Sequence, residues 1–266
     1  MALIRIFAIM PNWTHFYLIR ISFLGFRYHG WQKQEGLKTV HLMVDKTLKF
    51  ILGDQPFRSL GCGRTDAMVS AEDYAFELFT TAALDKDKIV HQLNKNFPPD
   101  IYAKSASAVD GSFNIIQHAK VKAYHYHFCF GEKPHPFSAP FVQHLGKKLN
   151  VSLMMEAATL FEGTHHFRSF TSKPNEDAQF DRNILQALIV PMDSVSAKVD
   201  DHFVFQAVAK GFLRYQVRMM MGALIEIGKG MITTDHLKEM LKGQSAYQLR
   251  TVAPGSGLRL HQVTFE

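Results

Sequence analysis

Hydrophobic and polar positions follow two different periods along the chain, and these periods predict its strands and helices. Alternation with a period of two predicts strands at 16–23, 74–79, 124–130, 184–190, 202–208 and 258–265. Apolar residues at three- and four-residue spacing predict helices at 40–52, 84–97, 153–161 and 212–227. These helical runs are followed by residues that commonly stop helices, namely Gly53, Pro98, Gly163 and Gly228.

The predicted elements form two comparable sets, each containing strands and helices. The sets meet near residues 110–112, so we predict an N-terminal lobe over 14–111 and a C-terminal lobe over 112–266. Residues 1–13 are predicted to be an N-terminal extension. A chain of 266 residues, 47% hydrophobic and 20% charged, has enough apolar side chains for a sizeable core.

The charge of the chain indicates what kind of partner it binds, and its cysteines indicate the cellular compartment in which it works. Thirty Lys and Arg against 24 Asp and Glu leave a formal net charge of +6, which suits a polyanionic partner such as RNA and is equally compatible with ordinary basic solubility. Cys62 and Cys129 form neither a CxxC nor a Cys/His zinc pattern. The expectation is therefore free thiols in a reducing compartment, the cytoplasm, with no metal.

The apolar N-terminal end does not predict a membrane protein. Residues 1–10 carry one charge and stop at Pro11, which is too short for a membrane-spanning helix. No small-residue cleavage pattern of a signal peptide follows them. We therefore expect no membrane partner.

One segment places a carboxylate close to a guanidinium between two predicted strands. Its sequence is Gly61-Cys62-Gly63-Arg64-Thr65-Asp66-Ala67. Loops held by rigid strands often carry reactive side chains. A nearby arginine favours the ionised form of an aspartate, which can then act as a nucleophile or accept a proton. Taken alone, Arg64 and Asp66 are more simply interpreted as a surface ion pair in a turn.

This segment, with others in the same order, resembles the TruA family of tRNA pseudouridine synthases, from about residue 16 to the end. The shared segments before the midpoint are Tyr28-His29-Gly30-Trp31-Gln32-Lys33-Gln34 with Thr39-Val40, then Leu93-Asn94 with Phe97-Pro98-Pro99-Asp100-Ile101, and Lys122-Ala123-Tyr124-His125-Tyr126. Those after it are Phe161-Glu162-Gly163, Phe167-Arg168-Ser169-Phe170, Gly211-Phe212-Leu213, Val217-Arg218-Met219-Met220-Met221-Gly222, Ala253-Pro254 and Gly257-Leu258.

The resemblance implies a fold, an activity and an assembly. The implied fold is α+β, with two ferredoxin-like lobes that share a continuous antiparallel sheet, helices on one face and a central active-site cleft. The implied reaction isomerises uridine to pseudouridine in the anticodon stem-loop of tRNA. It requires no cofactor, because no group is transferred and no redox change occurs. The implied assembly is a homodimer.

The resemblance also implies roles for single residues. Asp66 takes the position of the catalytic carboxylate, Arg218 that of the arginine paired with it, and Tyr124 that of the tyrosine stacked on the uracil. By residue type alone, Tyr124 is more often a core residue and Arg218 a solvated one. Arg64 is the third expected catalytic residue. The other expected substrate-binding residues are Gly63, Arg27 and Arg168, and Arg20 is a further candidate for contacting the RNA backbone.

Several positions depart from the family pattern. Met68 and Ser70 stand where the family has Gly and His, and a glycine at the first of these positions suits a positive φ or close substrate approach. The remaining departures are Tyr74 for glutamine, Ile116 for arginine, His166 for aspartate, and the acidic pair Glu72 and Asp73 near the expected cleft.

These departures leave alternative interpretations open. One is an enzyme with an altered RNA substrate, and another is an RNA-binding relative that has lost catalysis. A third is a hydrolase that uses Asp66 with one of the 14 histidines, although no histidine has the spacing of a catalytic base or metal ligand.

Overall fold

The computed structural model describes residues 11–146, 148–172, 179–192, 201–243, 245, 247 and 249–265. Most of the predicted N-terminal extension lies outside these residues. The strands are β1 His15–Phe23, β2 Phe57–Gly61, β3 Ser70–Thr80, β4 Ile101–Ala108, β5 Ala119–Cys129, β6 Gln143–His144, β7 Gly163–His166, β8 Asp181–Pro191, β9 His202–Ala209 and β10 Leu258–Phe265. The helices are α1 Val40–Leu52, α2 Lys86–Asn96, α3 Val151–Thr159, α4 Gln216–Gly228 and α5 Thr234–Leu241.

The strands form one continuous sheet, which confirms the predicted α+β class. Its order is β4-β1-β3-β10-β5-β9-β8-β7, with β2 added to β3 and β6 added to β5. Most pairs are antiparallel, but β10 runs parallel to β3, with Arg259 opposite Ser70. The sheet is therefore mixed rather than antiparallel throughout, because the last strand enters between the two halves in the direction of β3.

The last strand also takes part in both hydrophobic cores. Leu260 and Val263 of β10 belong to the core built by β1, β3, α1 and α2. Leu258, two residues before Leu260, belongs to the core built by β5, β9, α3 and α4. Strand β10 therefore joins the two halves through both backbone pairing and side-chain packing.

Helix α1 begins and ends for reasons that are visible in the sequence. Thr39 caps its N-terminus, accepting a hydrogen bond from the Leu42 N–H at 3.3 Å. Gly53 follows it with φ +60°, a conformation that glycine adopts without steric cost. Similarly, Asp85 caps α2 by accepting from the Lys88 N–H at 2.9 Å.

Helix α4 begins later than its hydrophobic pattern predicts. The pattern starts at Phe212, whereas the helix starts at Gln216 because Tyr215 has a left-handed backbone, φ +64°. The Leu213 N–H donates to the Gln216 side-chain oxygen at 2.8 Å, which stabilises this entry to the helix. Residues 212–215 therefore form a loop, and they line the cavity described below.

Some elements were not predicted from the sequence. Strand β4, Ile-Tyr-Ala-Lys-Ser-Ala-Ser-Ala, has few large apolar residues, and β6 and β7 are very short. Helix α5 spans 8 residues and is capped by Thr233 and His236. Among the described residues, no helix has the length and hydropathy needed to cross a membrane.

Candidate active site

The loop that carries Asp66 lies between two strands, as predicted, but the strand before it is β2, which the sequence pattern did not predict. The loop is held at several backbone atoms. Tyr74 donates its hydroxyl to the Gly63 carbonyl at 2.6 Å, and Lys122 donates to the Cys62 carbonyl at 2.8 Å. The backbone N–H of Trp31 donates to the Thr65 carbonyl at 3.2 Å. Three different parts of the chain therefore fix the residues that directly precede Asp66.

Close backbone packing explains the glycines around this loop. At Gly30, which has φ +85°, a Cβ atom would lie 2.3 Å from the Thr65 carbonyl oxygen. At Gly61 a Cβ atom would lie 2.1 Å from the Tyr74 hydroxyl and 2.5 Å from the Trp31 indole nitrogen. Larger residues at either position would push the loop away from its supports.

The Asp66 carboxylate is paired with Arg218 of α4, a residue 152 positions away in sequence. The Arg218 guanidinium donates to Oδ2 of Asp66 at 3.1 Å, and its Nε donates to the Ala253 carbonyl at 2.7 Å. The Tyr215 ring lies against the same guanidinium, 4.7 Å from its Cζ atom. Arg218 is therefore oriented by a carbonyl and an aromatic ring as well as by the carboxylate.

Burial raises the pKa of Asp66 above its usual range, against the opposing effects of Arg218 and Arg214. From the sequence we expected the neighbouring arginine to dominate, and that direction was wrong. The carboxylate side chain is only 24% exposed, so the loss of solvation outweighs the arginines. The hydrogen bond from Arg218 still favours the ionised form over the protonated one.

Aromatic side chains form part of the wall of a cavity of about 700 Å³ that contains Asp66. Tyr124 of β5 is half-buried and meets Phe212 edge to face, with ring centroids 5.4 Å apart. Burial raises the pKa of Tyr124, so its phenol is neutral at ordinary pH. A cavity of this size suits a small planar group and its sugar.

The predicted site residues separate into those that line this cavity and those that do not. Gly63 and the exposed Arg64 line it with Asp66, Tyr124 and Arg218. The Asp66 carboxylate accepts its hydrogen bond from Arg218. The close spacing of Arg64 and Asp66 in the sequence had instead suggested an ion pair between these two residues.

The other predicted arginines make contacts outside the cavity lining. Arg27 pairs with Asp100 at 2.5 Å, and the guanidinium of Arg168 lies 5.6 Å from the Phe180 ring centroid. Arg20 pairs with Asp73 at 2.5 Å. None of these three arginines lines the cavity.

The structure adds cavity residues that were not assigned individual roles from the sequence. Lys122 precedes Tyr124 by two positions on β5 and therefore lies on the same face, a signal that the strand alternation already contained. Arg214 and Tyr215 were hidden in the run predicted as helix. Only their position in the loop before α4 identifies them.

The position where the family has glycine has the backbone conformation that glycine favours. Met68 has φ +67°, and its N–H donates to the Tyr28 carbonyl at 2.9 Å. Methionine pays a steric cost in this conformation. Ser70, at the next departure, is 5% exposed and accepts from the Gly25 N–H at 2.9 Å.

The acidic pair at the start of β3 is neutralised by nearby cations. Glu72 pairs with Arg259 at 3.2 Å, and its other carboxylate oxygen lies 2.6 Å from Nδ1 of His261. Asp73 pairs with Arg20 at 2.5 Å and with Lys104 at 3.4 Å. These carboxylates therefore add little net negative charge to the surface, which removes one objection to an RNA partner.

Among the described residues, no group of three or more His, Cys, Asp or Glu side chains could hold a metal ion. The cavity instead combines one arginine-bound carboxylate, an aromatic wall and several cations. With the mixed α+β sheet, these features define the class of protein as one whose cavity suits an anionic ligand with a planar group.

Comparison with known proteins names the family. The sequence model of tRNA pseudouridine synthase matches residues 157–266. The chain is 33% identical to tRNA pseudouridine synthase A of Aquifex aeolicus over 257 residues, which are 96% of this chain and 99% of that protein. It is 34% identical to the protein of the same name from Thermosipho melanesiensis, covering 94% and 99%. The chain therefore belongs to the TruA family and is an RNA pseudouridine synthase, an isomerase.

Proposed function

We propose that this enzyme isomerises uridine to pseudouridine in the anticodon stem-loop of tRNA, with Asp66 as its catalytic carboxylate. The observation that carries the proposal is the Asp66–Arg218 pair inside a cavity that also contains Tyr124. The relatives from Aquifex aeolicus and Thermosipho melanesiensis are both named for tRNA. The cytoplasm is the compartment that fits such a substrate, and a homodimer is the assembly that we propose.

The reaction balances without an external reactant. The N1–C1′ bond of uridine breaks, a C5–C1′ bond forms, and the hydrogen on C5 is replaced while N1 gains one. Asp66 is positioned to act at the sugar, either as a nucleophile or as a base, because Arg218 holds its carboxylate. Tyr124 offers a half-buried aromatic face to the detached base. The cavity limits water access to the intermediate.

Cations around the cavity are suited to the RNA backbone. Arg64 and Arg214 are exposed and line the cavity, and Lys122 lines it too while donating to the Cys62 carbonyl. Such side chains hold phosphates without reading sequence. The target base must leave its stack to reach Asp66, as in other enzymes that act on a nucleobase.

The proposal is tested by Asp66→Asn in a pseudouridine-labelling assay on a tRNA anticodon stem-loop. Turnover should fall by at least about 10³-fold while RNA affinity stays near the parent value, because the lost interaction belongs to the transition state. Asp73→Asn is the matched control, since it alters an Asp–Arg pair outside the cavity and should leave turnover unchanged.

The same assay separates the alternatives. Release of free uracil by the parent enzyme would indicate a hydrolase, and RNA binding without any isomerisation would indicate a non-catalytic relative. Isomerisation of other RNAs with no product from the anticodon stem-loop would contradict the proposed substrate.

A further inference from the structure

The buried carboxylate of Glu226 is a feature that the proposed chemistry does not use. Glu226 lies on α4, two helical turns beyond Arg218, and is fully buried. Its Oε1 accepts from the backbone N–H groups of Arg250 and Thr251 at 2.8 and 2.7 Å. Its Oε2 accepts from the Tyr247 hydroxyl at 2.9 Å. A buried carboxylate with this many donors fixes the backbone that supplies them.

The backbone fixed by Glu226 continues directly to the catalytic arginine. We name residues 249–257 the C-terminal segment. Its Ala253 carbonyl accepts from Arg218 Nε at 2.7 Å, and its Ala253 N–H donates to the Arg218 carbonyl at 3.1 Å. At Gly222, between Arg218 and Glu226 on α4, a Cβ atom would lie 2.0 Å from the Thr251 carbonyl oxygen. The segment therefore lies tightly along the helix between Glu226 and Arg218.

The same segment contacts the other member of the catalytic pair. At Gly255 a Cβ atom would lie 2.2 Å from the carbonyl oxygen of Ala67, the residue after Asp66. Such close packing leaves little freedom for the Asp66 loop to move relative to the C-terminal segment. One short stretch of chain thus sets the position of both the arginine and the carboxylate.

We propose that Glu226 is a positioning residue, which holds the C-terminal segment so that Arg218 and Asp66 keep their catalytic geometry. The proposal rests on the proposed function of Asp66. Glu226 is not among the residues that line the cavity, and its hydrogen bonds go to Tyr247, Arg250 and Thr251, so we infer that it acts through the segment. A loosened segment would release Arg218 Nε and weaken the hydrogen bond from Arg218 to Asp66.

The test compares Glu226→Ala and Glu226→Gln with the same changes at Glu77. Glu77 is the matched control because it is also buried, at 1% exposure, and accepts a backbone N–H, from Ile115 at 3.2 Å, in the other hydrophobic core. Glu226→Ala should lower kcat by about 10- to 100-fold with KM nearly unchanged. Glu226→Gln should have a smaller effect in the same direction, because its amide oxygen still accepts a hydrogen bond.

Two readouts distinguish positioning from simple support of the fold. The acid limb of the pH–kcat profile should move to higher pH in the Glu226 variants, since Arg218 holds Asp66 less firmly. The Arg218 Nε–H should exchange faster with solvent in ¹⁵N NMR. In the Glu77 variants, the melting temperature should fall while both readouts stay at the parent values.

An unchanged acid limb and unchanged Arg218 exchange in Glu226→Gln would overturn the proposal, even if Glu226→Ala fails to fold. If the parent protein makes no pseudouridine, the proposed function is contradicted. Faster exchange of the Arg218 Nε–H in the Glu226 variants would then still support the structural link from Glu226 to Arg218.

Discussion

Met68 and Gly30 both have a positive φ close to Asp66, but glycine suits this conformation and methionine does not. Gly30, at φ +85°, packs on the Thr65 carbonyl, where no side chain fits. Met68, at φ +67°, carries a half-buried side chain in a conformation that disfavours it. The strain at Met68 is thus a property of this chain that the family's usual glycine would avoid.

We expect Met68→Gly to stabilise the protein by about 0.5–1 kcal/mol, because relief of the left-handed strain exceeds the entropy cost of glycine. Gly30→Ala should destabilise it by more than about 2 kcal/mol, since its Cβ would meet the Thr65 carbonyl oxygen at 2.3 Å. Urea unfolding midpoints measure both effects. Destabilisation by Met68→Gly would show that the methionine side chain contributes more packing than its backbone costs.

Asp66 lies in a position where burial lowers its contribution to stability. Its pKa in the folded protein is raised, chiefly by burial. Between the unfolded and folded pKa values the folded state binds more protons, so the contribution of Asp66 to stability decreases as pH rises through this window. Above this window the ionised carboxylate therefore costs stability.

Asp66→Asn should consequently be no less stable than the parent at neutral pH, and its relative advantage should disappear below both pKa values of Asp66. Denaturant unfolding at a series of pH values measures this difference. A variant that is clearly less stable at neutral pH would mean that the charge-assisted bond to Arg218 outweighs the burial of the carboxylate.

At the level of elements, the loop before α4 has the apolar spacing of a helix but not the backbone of one. Phe212 and Leu213 continue the apolar spacing of the helix, but Tyr215 turns the chain with φ +64°. This turn places the Tyr215 ring against Arg218, at 4.7 Å, and against Arg214, at 5.3 Å. The start of the helix thus supplies the aromatic ring that lies against Arg218, the partner of Asp66.

Tyr215→Asn should lower kcat by about 2- to 30-fold, the equivalent of one cation–π contact, without loss of stability. Asparagine adopts the left-handed conformation readily, so the backbone turn is kept. Tyr215→Phe is the matched control and should retain activity, because its ring still lies against Arg218. Single-turnover kinetics and thermal unfolding provide the two measurements, and parental turnover in Tyr215→Asn would contradict the role of the ring.

At the scale of the whole molecule, the net charge of +6 and the cations of the cavity favour an RNA partner whose binding depends on salt. Arg64→Gln should reduce the slope of log Kd against log salt by about one, because one phosphate contact is lost. Arg58→Gln is the control, since Arg58 is also exposed but lies against Phe79, outside the cavity lining. Equal slopes for the Arg64 variant and the parent would remove Arg64 from the RNA-binding surface.

The sequence by itself determined the features that arise from short-range physical chemistry. Periods of two and of about 3.6 predicted strands β1, β3, β5, β8, β9 and β10 and helices α1 to α4, because side-chain direction repeats locally. Capping and helix-stopping residues such as Gly53 were visible for the same reason. Met68 stands where the related family has glycine, and this difference predicted the positive φ that Met68 has in the structure.

Only the tertiary structure decided what depends on residues that are distant in sequence. It showed the contact between Asp66 and Arg218, which the family resemblance implied but the local spacing of residues did not, and it paired Glu72 with Arg259. It also reversed the expected pKa shift of Asp66, because desolvation is a property of the surrounding fold and not of adjacent residues. The parallel entry of β10 beside β3 has the same origin, since strand pairing brings together segments from opposite ends of the chain.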